Sequence, residues 1–260
     1  RYPLFFMFCY TRHLAPSRPI GYYFVTSFWR GFAVADPLIY THLGAFLQRI
    51  ADAARTYSLY VVGTTSVKKI PNLLAKFEQR YVLNWQTGAS RAASLRARRA
   101  GKGTGRWLGY LTSKREVLWV LFCEPGETVC TEEKWRKASD KHERLQILGY
   151  ELFRQTRPGA KRPAWTWRWS KATYAQLRQD VLDGIRKRQD TVLENVIERI
   201  HAAPGFAGVR EQARALRALI KDEWKRRRRD EPMPELPKRL WYIRRLADEG
   251  KGERLSLLTQ

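Results

Sequence analysis

The 260-residue chain carries 49 Lys and Arg residues against 25 Asp and Glu, which gives a formal net charge of +24. Its hydrophobic fraction of 44% and aromatic fraction of 13% exclude a disordered basic tail and predict a packed core. No apolar run reaches the ~18 residues that a transmembrane helix needs, and the apolar run at residues 2–10 lacks the features of a signal peptide. The lack of such a run predicts no membrane partner. Three cysteines without CxxC spacing argue against a disulfide scaffold and a zinc finger, so we expect a cytoplasmic protein.

The first part of the chain alternates predicted strands and helices. Residues 1–35 are β-prone, and Asp36 followed by Pro37 has the residue types of a helix N-cap and first helical position. Apolar residues at helical spacing follow this pair, and residues 59–65 form the next predicted strand. Pro71 opens a second predicted helix.

A glycine-rich turn then separates an Arg-rich segment from a predicted hairpin. Residues 90–100 contain helix formers but little apolar stripe, which predicts an exposed helix or loop. Residues 106–112 and 117–122 are predicted to form the hairpin, residues 131–145 a helix, and residues 147–155 a β-like segment. This alternation suits a two-layer α/β sandwich of the ferredoxin-like kind.

The remainder of the chain is mainly helical. A Pro- and Gly-rich joint at residues 157–163 is the preferred boundary, and three apolar stripes at helical spacing follow it, with a break at Pro204-Gly205. We therefore predict an α+β protein with an α/β body at 1–157, a mainly helical basic region at 158–230 and a Pro-containing linker and tail at 231–260.

The strongest functional signal is a one-sided run of charge. Between Gln79 and Arg115 the chain has nine basic residues and no acidic one. Such a field favours a polyanion, because neutralised phosphates release condensed counterions, and a Gly-Lys-Gly-Thr-Gly turn lets backbone N–H groups approach phosphate. The GxxxxGK[ST] pattern of a P-loop is absent. The predicted phosphate contacts in this run are Arg91, Arg96, Arg98, Arg99, Lys102 and Arg106.

A second basic cluster surrounds a row of tryptophans. Trp165, Trp167 and Trp169 alternate with Thr166 and Arg168, so on a strand the three indoles share one face. We favour a core role for that face over a base-stacking platform, because three exposed tryptophans in a row would promote aggregation. The predicted phosphate contacts here are Lys161, Arg162, Arg168 and Lys171.

A third basic cluster ends the last predicted long helix. Cations at a helix C-terminus complement the helix dipole, but four successive arginines exceed what capping needs. We predict either a backbone-binding arm or a disordered basic arm. The arginines of this cluster are Arg226, Arg227, Arg228 and Arg229.

One group of residues near the start of the chain is a candidate catalytic site. The four histidines are scattered, HExxH and GxSxG are absent, and neither a metal nor a cofactor is predicted. Tyr10, Arg12 and His13 lie together at the end of the first predicted strand, where His13 would act as base and Arg12 would stabilise phosphate charge in metal-independent RNA cleavage. We favour an ordinary strand-end role for His13.

Together these features predict a nucleic-acid-binding protein, with RNA favoured, that acts as a subunit of a ribonucleoprotein assembly with other protein partners. The order strand, helix, strand, helix, glycine loop, strand resembles that of proteins that process and retain CRISPR guide RNA, which combine ferredoxin-like units with a glycine-rich basic loop. That resemblance implies a metal-independent endoribonuclease as an alternative. A DNA-binding replication or transfer protein of a plasmid or other mobile element is a third possibility.

Overall fold

The structure is a computed structural model that describes residues 36–80, 82–83, 91–112, 115–124, 133–156, 158–236, 238 and 240–259. The strands predicted for residues 1–35 lie outside the described residues. So do the candidate catalytic residues Tyr10, Arg12 and His13.

Strands and helices alternate up to the hairpin, and three long helices follow the last strand of the body. The strands are β1 (Leu38–Tyr40), β2 (Leu59–Ser66), β3 (Val82–Leu83), β4 (Thr104–Leu111), β5 (Glu116–Glu124), β6 (Arg136–Lys137), β7 (Gln146–Ile147), β8 (Tyr150–Gln155), β9 (Ala164–Trp169) and β10 (Gly252–Arg254). The α-helices are α1 (Leu43–Ala53), α2 (Ile70–Arg80), α3 (Arg91–Arg99), α4 (Lys171–Arg186), α5 (Asp190–Ala202), α6 (Ala207–Arg227) and α7 (Leu255–Leu258). The predicted α+β class and the helical C-terminal region are confirmed.

The larger sheet has seven strands and mixed direction. Its order is β10-β1-β4-β5-β2-β6, with β3 paired to β4. The β4–β5 pair is the predicted antiparallel hairpin, whereas β1 and β4 run parallel. The described elements from β1 to β5 follow the order β-α-β-α-β-α-β-β, which differs from the β-α-β-β-α-β order of a ferredoxin-like unit.

Both faces of this sheet are covered. Successive residues of a strand point to opposite faces, so Leu108 packs with Phe46 of α1 in one buried cluster. On the other face, Trp107 and Trp119 belong to a second cluster, in which the rings of Trp119 and Phe77 of α2 have centroids 5.6 Å apart. The sheet therefore lies between two apolar layers, whereas a two-layer sandwich would cover one face only.

A smaller sheet, of order β7-β8-β9, joins the first apolar layer. Trp165, Trp167 and Trp169 are all buried, as the core interpretation predicts, and the Trp167 indole N–H donates to the Leu47 carbonyl of α1 at 2.8 Å. The joint predicted as a domain boundary, residues 157–163, connects β8 and β9, which are paired antiparallel over their full length.

The three long helices bury the stripes that the sequence predicts. Leu193 and Ile200 of α5 and Leu216 and Ile220 of α6 belong to the same buried cluster as Trp167. None of the described helices combines the length and the apolar character that a bilayer span needs.

Two local predictions are wrong. The helix α1 begins after His42, whose Nδ1 accepts the Ala45 N–H at 3.2 Å, and Asp36 instead accepts the N–H and the hydroxyl of Ser256 at the start of α7. Residues 133–145 contain no α-helix. They run along the edge of the larger sheet, where β6 pairs with β2 and the Ala138 N–H donates to Ser58. Tertiary pairing overrides a local helix preference in this segment, which lacks a sustained apolar stripe.

Candidate nucleic-acid interface

The Arg-rich run forms the helix α3 and an exposed turn. Arg96, Arg99 and Lys102 are exposed, while Ala97 between them is buried. The helix ends at Arg99, and Gly101 lies in the turn that follows, where its φ of +68° suits glycine and the Lys102 N–H returns to the Ala97 carbonyl at 2.9 Å. The side chains of the two other arginines predicted to bind there lie outside the described part, and these are Arg91 and Arg98.

The predicted glycine loop is shorter than its sequence suggests. Thr104 and Gly105 already belong to β4 and pair with Glu124 and Cys123 of β5. Arg106 follows them inside the sheet and is half-buried. Burial lowers the pKa of Arg106, against the opposing field of Tyr40 and other nearby acidic groups. Arg106 therefore lies within the body, apart from the exposed arginines of α3.

A basic groove of about 570 Å³ opens beside the smaller sheet. We call it the basic groove, and its lining residues are Lys141, His142, Arg144, Gln146, Glu151, Arg168, Trp169, Lys171, Tyr174 and Gln212. Four of these side chains are cationic and one is acidic. Arg168 and Lys171 are predicted site residues, whereas Lys141, His142 and Arg144 come from the segment that was predicted to be helical.

The acidic residue holds two arginines in place. Glu151 of β8 lies directly opposite Arg168 of β9, and its Oε1 accepts from Arg168 Nη2 at 2.8 Å and from Arg144 Nη1 at 2.6 Å. Burial raises the pKa of Glu151, but the hydrogen bonds and charges of the two arginines outweigh this effect and hold the pKa below its ordinary value. The Arg168 guanidinium also lies over the Phe153 ring, 4.6 Å from its centroid.

This arrangement leaves a fixed positive charge at the groove. Each guanidinium carries five N–H donors, of which one is given to Glu151, and two positive charges are matched by one negative charge. Side chains of Arg144 and Arg168 remain 26% and 36% exposed, so a ligand in the groove has access to them. Planar forks of this kind match the oxygens of a phosphate.

Rigid elements support the groove from the α6 side. The Gln212 side chain accepts the Trp169 N–H at 2.7 Å and donates to the Trp169 carbonyl at 3.1 Å. Both backbone groups of Trp169 at the end of β9 are therefore hydrogen-bonded to α6. Ser170 then caps α4 by accepting the Thr173 N–H, so Lys171 begins a helix whose position is fixed.

The predicted cluster around the tryptophan row is divided by the structure. Lys161 and Arg162 are exposed in the β8–β9 connection, whereas Lys171 follows the far end of β9. The six residues of β9 separate the two groups by about 20 Å. Only Arg168 and Lys171 therefore belong to the basic groove.

The arginine cluster at the end of α6 is partly internal. Arg228 is 7% exposed, forms ion pairs with Asp190 and Glu231, and lies 4.2 Å from the centroid of the Trp224 ring. Arg226 pairs with Glu223, which also accepts from Arg186 Nε at 3.1 Å. These pairs tie the α4–α5 turn to α6. Three arginines of the cluster are exposed, and these are Arg226, Arg227 and Arg229.

A second opening, of about 920 Å³, lies between the start of α1 and the end of α5. We call it the α1–α5 cleft. His42, His201 and Lys238 line it together with Trp241 and Tyr242, and none of the described residues that line it is acidic. No sequence pattern indicates this site, because its residues come from three distant segments.

Comparison with models of protein families, with curated proteins and with solved structures finds no match to this chain. Among the described residues, no group of three or more His, Cys, Asp or Glu side chains is placed to hold a metal ion.

Proposed function

We propose that this protein binds nucleic acid along the basic groove, with RNA favoured over DNA, as a subunit of a cytoplasmic ribonucleoprotein assembly. The observation that carries the proposal is the pair Arg144 and Arg168, fixed by the buried Glu151 and flanked by Lys141 and Lys171. A carboxylate that holds two guanidinium groups lowers the entropy lost when they meet a phosphate.

Charge elsewhere on the chain supports the same ligand class. Arg96, Arg99 and Lys102 are exposed on and after α3, and the net charge of +24 opposes compaction unless a polyanion offsets it. The ion pairs at the end of α6 use acidic residues that the net charge already counts, so they leave this excess unchanged. Planar arginine forks bind phosphate oxygens with paired, charge-assisted hydrogen bonds.

The shape of the basic groove on the protein favours RNA over duplex DNA as the ligand. Duplex DNA is usually read by an exposed helix in the major groove, whereas structured RNA is recognised by shape, backbone and unpaired bases. The basic groove is bounded by strands and by the start of α4, and α6 packs its apolar stripe against the body. A phosphate backbone that follows the groove is the simpler fit to this surface.

Titration of the purified full chain against hairpin RNA, single-stranded DNA and duplex DNA over a salt series tests the proposal. We expect the tightest binding to hairpin RNA, with log K falling linearly with log salt by about 0.7–0.9 for each phosphate contact. Preference for duplex DNA would support the alternative of a DNA-binding replication or transfer protein. Absence of salt-dependent binding to any of the three would contradict the proposal.

A second candidate function, metal-independent RNA cleavage, has one supporting observation. His42, His201 and Lys238 line the same cleft, and imidazole groups are the most common general acids and bases. His42 Nδ1 accepts the Ala45 N–H, so its Nε2 is the atom available to a substrate. His13, the candidate from sequence, lies outside the described residues.

Incubation of labelled hairpin RNA with the protein in EDTA distinguishes cleavage from binding. Cleavage at fixed positions that is lost in His201→Ala, while the variant still binds the hairpin as tightly as the wild type, would support the nuclease. Intact RNA at saturating protein would leave binding without chemistry.

A further inference from the structure

An extended segment, residues 240–246, lies along the α1–α5 cleft and presents its side chains with a period of three. We call it the strap. Leu240, Ile243 and Leu246 are partly buried against the core. The two residues that follow Leu240 and the two that follow Ile243 point outward and are exposed. The outward residues are Trp241, Tyr242, Arg244 and Arg245. Two exposed aromatic residues are thus followed closely along the chain by two exposed arginines.

Backbone hydrogen bonds hold the strap in position. The Ile243 N–H donates to the Gly205 carbonyl at 3.1 Å, and Arg210 Nε donates to the Leu240 carbonyl at 2.9 Å. The Gln48 side chain donates to the Arg244 carbonyl at 2.6 Å and accepts the Leu246 N–H at 3.0 Å. The backbone that carries the outward side chains is therefore held in position before any ligand arrives, which lowers the entropy cost of binding.

The aromatic side chains of the strap are unusually open to solvent. Trp241 is 69% exposed and Tyr242 is 40% exposed, whereas the three tryptophans of β9 are buried. The Arg210 guanidinium lies 5.2 Å from the centroid of the Tyr242 ring. Exposed aromatic surface of this kind marks a binding site when cationic groups surround it.

The charges around these rings select the ligand. Lys238 lines the cleft and Arg244 follows the aromatic pair, whereas Arg245 is partly neutralised by Asp52 at 2.5 Å. An apolar peptide would leave these cations without partners, and a base carries its own phosphates on either side. The cleft volume of about 920 Å³ lies in the range of nucleotide-sized ligands.

We infer that the strap and the α1–α5 cleft bind an unpaired base of a nucleic-acid strand. The base stacks on the Trp241 indole, and Lys238 and Arg244 neutralise the flanking phosphates. This inference rests on the proposed function and narrows its ligand class to nucleic acid with a single-stranded portion. In this arrangement the basic groove binds the phosphate backbone of the nucleic acid, and the strap contributes to binding only where an unpaired base is present.

Fluorescence of oligonucleotides that contain 2-aminopurine tests the inference, because stacking on an aromatic ring quenches the probe. One oligonucleotide places the probe in a single-stranded overhang of a hairpin, and the other places it inside a fully paired stem. For wild-type protein we expect quenching of the overhang probe only. For Trp241→Ala we expect quenching to disappear and affinity for the overhang hairpin to fall about tenfold, whereas Trp241→Phe restores most of both.

The matched control is Leu257→Ala, which removes another exposed apolar side chain, 61% exposed, from α7. Melting temperatures of all variants establish that they fold. If Trp241→Ala weakens overhang and blunt hairpins equally, or weakens neither, the inference is wrong while the proposed function stands. If no hairpin binds the wild-type protein, both fail together.

Discussion

The Glu151 carboxylate accepts hydrogen bonds from two guanidinium groups that reach it from different parts of the chain. Arg168 is its cross-strand partner in the smaller sheet, and Arg144 comes from the segment before β7. Glu151 itself is 5% exposed. Removal of its charge leaves two neighbouring cations that are partly buried and share no counter-ion, which costs stability and loosens the groove.

We therefore expect Glu151→Gln to lower the free energy of unfolding by about 2 kcal/mol, the usual magnitude for hydrogen bonds to charged groups. Urea denaturation at neutral pH measures this change. Glu194→Gln, at an exposed position of α5, is the matched control and should change stability by less than about 0.5 kcal/mol. Equal stability of the two variants would show that Glu151 does not hold the arginines.

Glu223 predicts a specific acid dependence of stability. Hydrogen bonds from Arg226 and Arg186 lower its pKa from 4.5 to about 2. Because the folded pKa is depressed, the unfolded state binds more protons between these values, so the contribution of Glu223 is present above pH 4.5 and is lost as pH falls toward 2. In urea titrations at pH 6, 4 and 3, the stability difference between wild type and Glu223→Gln should shrink as pH falls. A difference that is constant across this range would contradict the assignment.

The position of the strap against the turn between α5 and α6 depends on one glycine. A Cβ at Gly205 would lie 1.7 Å from the Trp241 carbonyl oxygen, so the backbone of the strap approaches more closely than any side chain permits. The same glycine accepts the Ile243 N–H through its carbonyl. Pro204-Gly205 was predicted only as a helix break, because sequence alone does not show which distant segment packs there.

We expect Gly205→Ala to displace the strap and to expose residues 240–246 to proteases. Limited proteolysis followed by mass spectrometry measures this effect. Gly159→Ala is the control, because Gly159 has a φ of +78° but nothing within 4 Å of its Cβ position. The control should show only the small cost of backbone strain, with the strap still protected. Protection of the strap in Gly205→Ala would mean that the close approach is not needed.

Elements with a strong local pattern could be predicted from the sequence. The stripe of Leu193 and Ile200 and the alternation of the tryptophan row both gave the correct element, because burial follows the period of helix or strand in each case. The start of α1 was misplaced, since Asp36 and Pro37 have the residue types of a helix start but lead into β1. The short strands β6 and β10 carry little local signal and are defined by their partners β2 and β1.

At the scale of the whole molecule, net charge predicts a ligand class but not a site. Arg228 and Arg168 look alike in sequence, yet one is buried between two carboxylates and the other is a partly exposed member of the basic groove. Lys141 and Arg144 escaped prediction because the fold alone brings them beside Lys171. The arginines of the described residues are therefore divided between those in internal ion pairs and those on surfaces that face solvent.

The most direct measurement is the salt dependence of hairpin-RNA binding by Lys141→Glu/Lys171→Glu, two exposed positions of the basic groove. Lys68→Glu/Lys69→Glu carries the same change in net charge at the exposed turn before α2 and is the matched control. We predict that the groove variant binds at least about tenfold more weakly at ~0.1 M salt and that its slope of log K against log salt is shallower by about 2, while the control stays close to wild type. Equal loss in both variants, or none in either, would contradict the assignment of the basic groove as the nucleic-acid interface.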